Sequence, residues 1–421
     1  MKMRNRFSMM TIGLAGCLAL NAMAAEPAIT NVAVRQHWPW SRLVNIDYVL
    51  SCDTATQKVD VIVNAYDGDT ALTLPSGTLT GDLHDVTRGQ KRIVFDPTKT
   101  AYTNDILTRF NVDLKTSPAP LYMIVDLTKA AGAVGQTEYV YEAELVTNKW
   151  GSWVRNPVSN DTTVVESVIW TGVTNGTTYK TDKLVLRRVP AGSFTMGDGL
   201  VGTANITLTK DFYVGVFEVT QWQWKKFMVN SSTFQNDFGP VEMMCYYDVR
   251  ENADTDSAIS PNWPNSSSVG TNSFLGKLRA KSGMAGFDLP TEAQWEYACR
   301  AGTTTYYNDG LSGNASTQLD VLGWYTSNSG STTHTVGLKQ PNAWGLYDTL
   351  GNLYEWCLDW PLTTLLDDTD PKGASSNPSG RERRGGSWAS AADACRSAFR
   401  GVNLPNNVGK YVGFRLVRNL E

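Results

Sequence analysis

The stretch LPTEAQWEYACRAGT, residues 289–303, contains the strongest local structural signal in the chain. Thr291 precedes Gln294 by three residues, which is the spacing of a capping box. In that motif the threonine hydroxyl accepts a hydrogen bond from a backbone amide, and the glutamine side chain reaches back to the threonine. The stretch therefore predicts a helix that begins just after Thr291.

Two more helices are predicted around this stretch. TQWQWKKFM (residues 220–228) opens with the same box, formed by Thr220 and Gln223. SFLGKLRAKSG (residues 273–283) places its apolar residues on one face and ends in a glycine, which favours a helix stop. The remainder of the chain from about residue 181 is rich in Trp, Gly and Asn and has few periodic segments, so we expect loops and short strands there.

The N-terminal part of the chain has the short alternating pattern of β-strands. LVNIDYVL (residues 43–50) places Val44, Ile46, Tyr48 and Leu50 on one face. Two further segments repeat the rhythm, VDVIVNAY (residues 59–66) and RFNVDL (residues 109–114). Turn sequences separate these segments, so the pattern predicts an antiparallel β-sandwich with an accessory role.

These patterns give an α+β chain with three parts after a short leader. Residues 25–118 are predicted to form the β-sandwich, residues 119–182 a strand-containing extension and linker, and residues 183–421 a second domain. The extension combines two apolar strand-like runs with polar, loop-like sequence, and we interpret it as the tail of the first domain plus a linker.

The first 24 residues have the organisation of a secretory signal. A basic start is followed by an apolar run and by small residues at Ala22 and Ala24. A lipoprotein box with lipid on Cys17 is a second interpretation of the same segment. No later stretch reaches the roughly 18 apolar residues that a membrane span needs. We therefore expect a secreted, periplasmic or cell-surface protein that is not transmembrane.

Charge and histidine content exclude several classes of function. The formal net charge is -4, without basic runs, which argues against nucleic-acid partners because those need concentrated Lys and Arg. The three histidines, His37, His84 and His334, are too scattered to form an obvious multi-histidine metal site. Oxygen ligands are the more probable metal chemistry.

Residues 184–417 carry seven motifs in collinear order. They are VPAGSFTMGDG (189–199), FEVTQWQWKKF (217–227), GPVEMMCYYD (239–248), LPTEAQWEYACRAGT (289–303), PNAWGLYDTLGNLYEWCLDW (341–360), RRGGSW (383–388) and VGFRLV (412–417). On these motifs the chain resembles the formylglycine-generating enzyme family, also called sulfatase-modifying factors. The resemblance implies a fold related to C-type lectins, with little regular secondary structure.

The resemblance also implies a protein-cysteine oxidase, but this chain departs from the family at the copper ligands. Family oxidases hold copper(I) with two cysteines in the final segment; here Ser390 stands at the first of those positions and Ala391 replaces a histidine. A hydroxyl cannot replace a soft thiolate, and Cys395 alone would bind copper weakly. Two family positions that contact substrate match Ser387 and Arg400, although a turn hydroxyl and a salt-bridging arginine explain them equally well.

Five cysteines remain after the signal, which is an odd number in a compartment where disulfides persist. One alignment with the family equates Cys395 with the second copper cysteine. The other equates it with a cysteine that the family joins to the one at Cys299, and we prefer this alignment because it accounts for two cysteines at once. Cys357 is a rival partner for either residue.

The same resemblance implies a calcium site in DTLGNLYE (residues 348–355). The matching family positions bind calcium through a side chain at Asp348, the carbonyls of Gly351 and Leu353, and the carboxylate of Glu355. Calcium takes about 6 to 8 oxygen ligands of these kinds. We therefore expect calcium as a cofactor and do not expect copper.

Three functions follow from these expectations. The first is a secreted, calcium-stabilised binding or scaffold module for a protein or glycan, without oxidase activity. The second is the family's generation of formylglycine in sulfatases. The third is a nonheme-iron oxygenase, for which the chain lacks the separate histidine-bearing domain of such relatives.

Overall fold

The computed structural model describes residues 27–52, 59–74, 78–83, 86–100, 108–157, 159–161, 164, 167–250, 268–375 and 379–420. The predicted signal segment, with Cys17, lies outside these residues, and so does His84. None of the helices in the described ranges is long and apolar enough to cross a bilayer.

The N-terminal domain is a sandwich of two antiparallel sheets. Its strands are β1 Ala28–Gln36, β2 Val44–Ser51, β3 Val59–Asp67, β4 Thr70–Ala71, β5 Leu79–Gly81, β6 Gly89–Phe95 and β7 Phe110–Pro118. One sheet has the order β1-β2-β6-β5 and the other β4-β3-β7. Val44, Ile46, Tyr48 and Leu50 are each at most 2% exposed and share one core with Val61 of the facing sheet. The predicted sandwich is confirmed.

The second domain combines many short strands with few helices. Its strands are β8 Tyr122–Asp126, β9 Thr137–Val140, β10 Val154–Arg155, β11 Val168–Ile169, β12 Lys183–Val189, β13 Gly192–Asp198, β14 Gly202–Leu208, β15 Phe212–Gly215, β16 Phe287–Asp288, β17 Tyr354–Trp356, β18 Asp368–Thr369, β19 Arg381–Arg384, β20 Gly401–Asn403, β21 Val412–Gly413 and β22 Val417–Asn419. Its helices are α1 Glu142–Val146, α2 Gln221–Lys225, α3 Tyr246–Val249, α4 Phe274–Ser282, α5 Glu292–Arg300 and α6 Ser316–Leu322. This mixture confirms the predicted α+β class.

A six-stranded sheet, with the order β16-β22-β15-β12-β8-β9, forms the centre of the second domain. β8 and β9 come from residues 119–182, which the sequence suggested as an extension and linker. β8 pairs antiparallel with β12, from Lys183 opposite Asp126 to Arg187 opposite Tyr122. The apolar residues of β8 are almost all buried, as expected for a strand that is covered on both faces of a sheet.

The three predicted helices are present with the predicted ends. Thr220 and Thr291 each close a complete capping box, on α2 and α5. Ser273 caps α4 through the backbone amide of Gly276, and Gly283 ends that helix with a φ of 73°, a conformation that glycine adopts without strain.

A buried charge network joins α5 to β19 and to the loop that follows it. Arg400 forms a two-point ion pair with Glu292, at 2.7 and 2.9 Å, and contacts Glu382 at 2.7 Å. Asp359 accepts from the backbone amide of Glu292 at 2.6 Å, at the first turn of α5. Burial, with the nearby charge of Glu292, raises the pKa of Asp359 to about 8.

The capping box of α5 gives the first prediction. Thr291 is 1% exposed, and its hydroxyl accepts from the amide of Gln294 at 3.1 Å. Thr291→Val keeps the volume but removes this acceptor, so it should lower the free energy of unfolding by about 1 kcal/mol. Urea denaturation measures the change. Thr291→Ser, which keeps the hydroxyl, is the control, and a valine variant as stable as the wild type would contradict the role of the cap.

Asp359 gives a prediction on pH dependence. Its pKa is about 8 in the folded protein and ordinarily 3.8, so between those values the folded state holds a proton that the unfolded state has lost. The stability from this proton is fully present below about pH 4 and is lost as pH rises through 8, at up to about 1.4 kcal/mol per unit. Asp359→Asn keeps an oxygen that can accept from the backbone amide of Glu292, but its side chain cannot titrate.

The wild type should therefore lose stability relative to Asp359→Asn as pH rises from 5 to 8. Urea unfolding of both proteins at several pH values in this window measures the difference. Two curves that run parallel across the window would show that the carboxyl titrates alike in the folded and unfolded states.

Candidate functional site

The loop after β19 contains the residues at the family's copper position. The backbone turns at Gly385 and Gly386, whose φ angles are 95° and 76°. A Cβ on Gly386 would lie 2.4 Å from the sulfur of Cys395, so only glycine allows this loop to approach the cysteine so closely. The hydroxyl of Ser390 accepts from the amide of Ser387 at 2.9 Å and lies 3.1 Å from its hydroxyl. The two serines therefore bond to each other across the turn.

Cys395 lies beneath this loop as a buried thiol. It ends a short 3₁₀ turn, Ala392–Cys395, and is 0% exposed. Burial raises the pKa of its thiol to about 12, because the thiolate would have no water around it. At neutral pH the structure presents a protonated sulfur at this position.

The predicted disulfide is not confirmed. The five cysteines in the described part of the chain are all free: Cys52, Cys245, Cys299, Cys357 and Cys395. Cys299, Cys357 and Cys395 nevertheless lie in one apolar cluster with Trp295. The fold thus brings together Cys299 and Cys395, the predicted pair, and Cys357, the rival partner.

Arg400 is occupied by internal partners. Its guanidinium donates hydrogen bonds to Glu292, Glu382 and the carbonyl of Leu362, and its side chain is 14% exposed. Of the two interpretations of this arginine from sequence, the geometry matches the salt-bridging one.

Asp348 is a buried carboxylate in the loop before β17. One carboxylate oxygen accepts from the amide of Gly337 at 2.6 Å. The other oxygen has no hydrogen-bond partner among the described residues. Burial raises the pKa of Asp348 to about 6. An unpartnered buried oxygen in a tight loop, where Gly351 also has a positive φ of 84°, fits a bound cation.

Glu355 has a different role in this structure. Both of its carboxylate oxygens accept from Arg415, at 2.6 Å each, and one also accepts from the indole of Trp295 at 2.7 Å. This bidentate pair leaves Glu355 fewer free lone pairs than a dedicated calcium ligand has. The structure shows no group of three or more His, Cys, Asp or Glu side chains arranged for a metal within the residues it describes.

Glu218 is a buried carboxylate of this region that sequence reasoning missed. It accepts from the amide of Leu353 at 3.1 Å and from the side chain of Asn352 at 2.7 Å. Burial raises the pKa of Glu218, and the charges of Asp348 and Glu355 add to that effect. Its position in the motif FEVTQ (residues 217–221) was the sequence signal that could have identified it. Glu218 is therefore near enough to Asp348 and Glu355 for the charges to interact, while both of its own oxygens already accept hydrogen bonds.

The comparisons with known proteins agree with these motifs. A family model described as a sulfatase-modifying factor enzyme 1-like domain matches residues 174–420. The chaperone protein LppX of Paenibacillus barcinonensis is 29% identical over 274 residues, covering 58% of this chain and 92% of that protein. The formylglycine-generating enzyme of Mus musculus is 29% identical over 276 residues, and the match covers 54% of this chain and 73% of that enzyme.

Among solved structures, Treponema denticola variable protein 1 is 29% identical, with a TM-score of 0.46, and the match covers 56% of this chain and 96% of that one. The family match spans more than half of the chain. The chain therefore belongs to the sulfatase-modifying factor family, whose relatives include formylglycine-generating enzymes.

Proposed function

We propose that this protein is a secreted binding module of the family without copper oxidase activity. The observation that carries the proposal is the state of the copper position. Ser390 has a hydroxyl bonded to Ser387, and Cys395 is a buried thiol with a pKa raised to about 12. Copper(I) prefers a pair of soft thiolates, so these residues do not fit it.

A protein partner is the most direct expectation for such a module. The match to a chaperone protein, LppX, covers nearly the whole of that relative, and a chaperone binds other polypeptides. A glycan is the alternative ligand that the lectin-like fold suggests. The signal-like residues 1–24 support export to the compartment where such a partner would be met.

Calcium is proposed to stabilise the second domain at Asp348. Three buried carboxylates, those of Glu218, Asp348 and Glu355, have Arg415 and Lys180 as cationic neighbours. A divalent cation would favour the ionised form of these carboxylates and supply the partner that the free oxygen of Asp348 lacks. Gly351 and Leu353 would contribute carbonyls as the family pattern implies, whereas Glu355 is held by Arg415.

The rival function is oxidation of a substrate cysteine, and the likeness to the mouse enzyme is the observation that favours it. Copper(I) titration of the mature protein, with oxygen consumption on a sulfatase-motif peptide, separates the two functions. We expect no tighter binding than in Cys395→Ala and no peptide oxidation. Ser390→Cys should remain inactive, because Cys395 stays buried and protonated. Stoichiometric copper binding with peptide oxidation would establish the oxidase instead.

Calcium dependence is the second prediction from this proposal. Calcium that binds only the folded state should raise the free energy of unfolding by about 2.7 kcal/mol at a hundredfold excess over Kd. EDTA should lower the melting temperature of the second domain and leave that of the sandwich unchanged. Asp348→Ala should abolish the calcium-dependent increment, measured by calorimetry with and without calcium.

Asp237→Ala is the matched control, since it removes a carboxylate that is 40% exposed and pairs with Lys225. This variant should keep the full increment. Glu355→Gln is less informative, because it also leaves the buried Arg415 without its partner. If EDTA moves neither transition and elemental analysis finds no calcium, Asp348 is only a buried loop carboxylate.

A further inference from the structure

Three aromatic rings surround the ammonium of Lys410 at the edge of the Ser387 loop. The nitrogen lies 5.4 Å from the centroid of Trp388 and 5.8 Å from the centroids of both Phe234 and Tyr411. Phe234 meets Trp388 edge to face, at 5.3 Å and 87°, whereas Tyr411 stacks on it at 5.2 Å and 26°. We call these three rings the aromatic corner.

The backbone holds the aromatic corner in place before any ligand arrives. The indole of Trp388 donates to the carbonyl of Lys410 at 2.9 Å, and the backbone amide of Trp388 donates to the carbonyl of Asn352 at 2.7 Å. The carbonyl of Tyr411 accepts from the amide of Tyr354 at 2.9 Å. The rings therefore need little ordering on binding, which favours affinity.

A buried carboxylate lies beside the aromatic corner. Glu242 is 0% exposed, and one of its oxygens accepts from the amide of Phe234 at 2.9 Å. Its other oxygen has no hydrogen bond of good geometry in the described residues, although the amide and hydroxyl of Thr233 are near enough to the carboxylate to lower its pKa. Burial raises the pKa of Glu242, and the charge of Lys410 opposes that rise, so the carboxylate and the ammonium act on each other. Aromatic faces and a buried carboxylate together favour a cation.

The ammonium of Lys410 differs from the other ring-bound lysines in its number of rings. In the described residues four other lysine ammoniums each lie over one ring, at 3.9 to 6.0 Å from its centroid; they belong to Lys149, Lys180, Lys226 and Lys339. The ammonium of Lys410 lies over three rings, at 5.4 to 5.8 Å, and is in close contact with none of them. A nitrogen that carries methyl groups, each about 1.5 Å from it, would fill the space between these rings better than a bare ammonium.

We propose that Phe234, Trp388, Tyr411 and Glu242 form a binding site for a quaternary ammonium group, in which Lys410 is an internal occupant that the ligand displaces. A quaternary ammonium has no N–H donors to satisfy, whereas a guanidinium would need acceptors for five. Within the residues that the structure describes, the ammonium of Lys410 makes no hydrogen bond, so its displacement breaks only ring and charge contacts. The inference rests on the proposed binding function and names a chemical class for the ligand.

Calorimetric titration with choline chloride tests the site in the full-length mature protein. Lys410→Ala should bind choline roughly tenfold more tightly than the wild type, because the ligand no longer competes with a tethered ammonium. Phe234→Leu or Glu242→Gln in the Lys410→Ala background should each weaken binding several-fold. Lys339→Ala, which removes an ammonium that lies over a single ring, is the matched control and should leave affinity unchanged.

A neutral probe separates charge from apolar burial. 3,3-Dimethyl-1-butanol has the shape of choline without the charge and should not bind. Phosphatidylcholine vesicles distinguish a lipid headgroup from free choline: sedimentation of Lys410→Ala with the vesicles identifies the lipid source, and binding of choline alone identifies a soluble ligand. Equal binding of choline and the neutral probe, or no saturable choline signal in a folded Lys410→Ala variant, overturns the proposal.

The copper assay distinguishes a failure of the choline-binding proposal from a failure of the proposed function. If choline does not bind and the protein is inactive with copper, only the proposal of a quaternary ammonium site is refuted. Copper-dependent peptide oxidation would remove the proposed binding function, whatever the choline titration shows.

Discussion

Arg415 donates to the two oxygens of Glu355 from Nε and Nη2, at 2.6 Å for each bond, and it also donates to the carbonyls of Gly215 and Tyr347. The pair is almost fully buried, with 1% and 0% of the two side chains exposed. These contacts connect β17, the end of β15 and the carbonyl of Tyr347 to the segment between β21 and β22 that carries Arg415. Loss of one partner would leave an uncompensated buried charge, which typically costs about 3–5 kcal/mol.

This dependence on buried polar contacts follows from the small amount of regular structure. Among the described residues of the second domain, the longest helices are α4 and α5, with nine residues each, and most strands have two to four. Long loops carry backbone groups that helices and sheets would otherwise satisfy. Buried arginines take over part of that role. Arg384, which pairs with Glu296, also donates to three backbone carbonyls of residues 397–399, and Arg400, which pairs with Glu292, donates to the carbonyl of Leu362.

The candidate sites lie on loops that this framework positions. The Ser387 turn follows β19, and Asp348 lies in the loop before β17. The hydrogen bond from Trp388 to Asn352, at 2.7 Å, links these two loops directly. Rigid loops on a packed domain are the usual location of binding residues.

The sequence by itself determined the features that depend on near neighbours or on ordered motifs. Capping boxes at Thr220 and Thr291 and the glycine stop at Gly283 set three helices, because each signal acts within one turn. Alternation around Val44 set the sandwich strands, and the collinear motifs identified the family, which the match to residues 174–420 confirms.

Only the tertiary structure decided which distant groups meet. Sequence spacing could not show that β8 joins the sheet of the second domain, that Arg415 takes both oxygens of Glu355, or that Arg400 serves Glu292 across 108 residues. It also could not place Phe234, Trp388 and Tyr411 around Lys410, since these residues come from separate loops. The physical reason is that burial and ion pairing depend on positions in space, whereas sequence patterns report only on contacts between near neighbours in the chain.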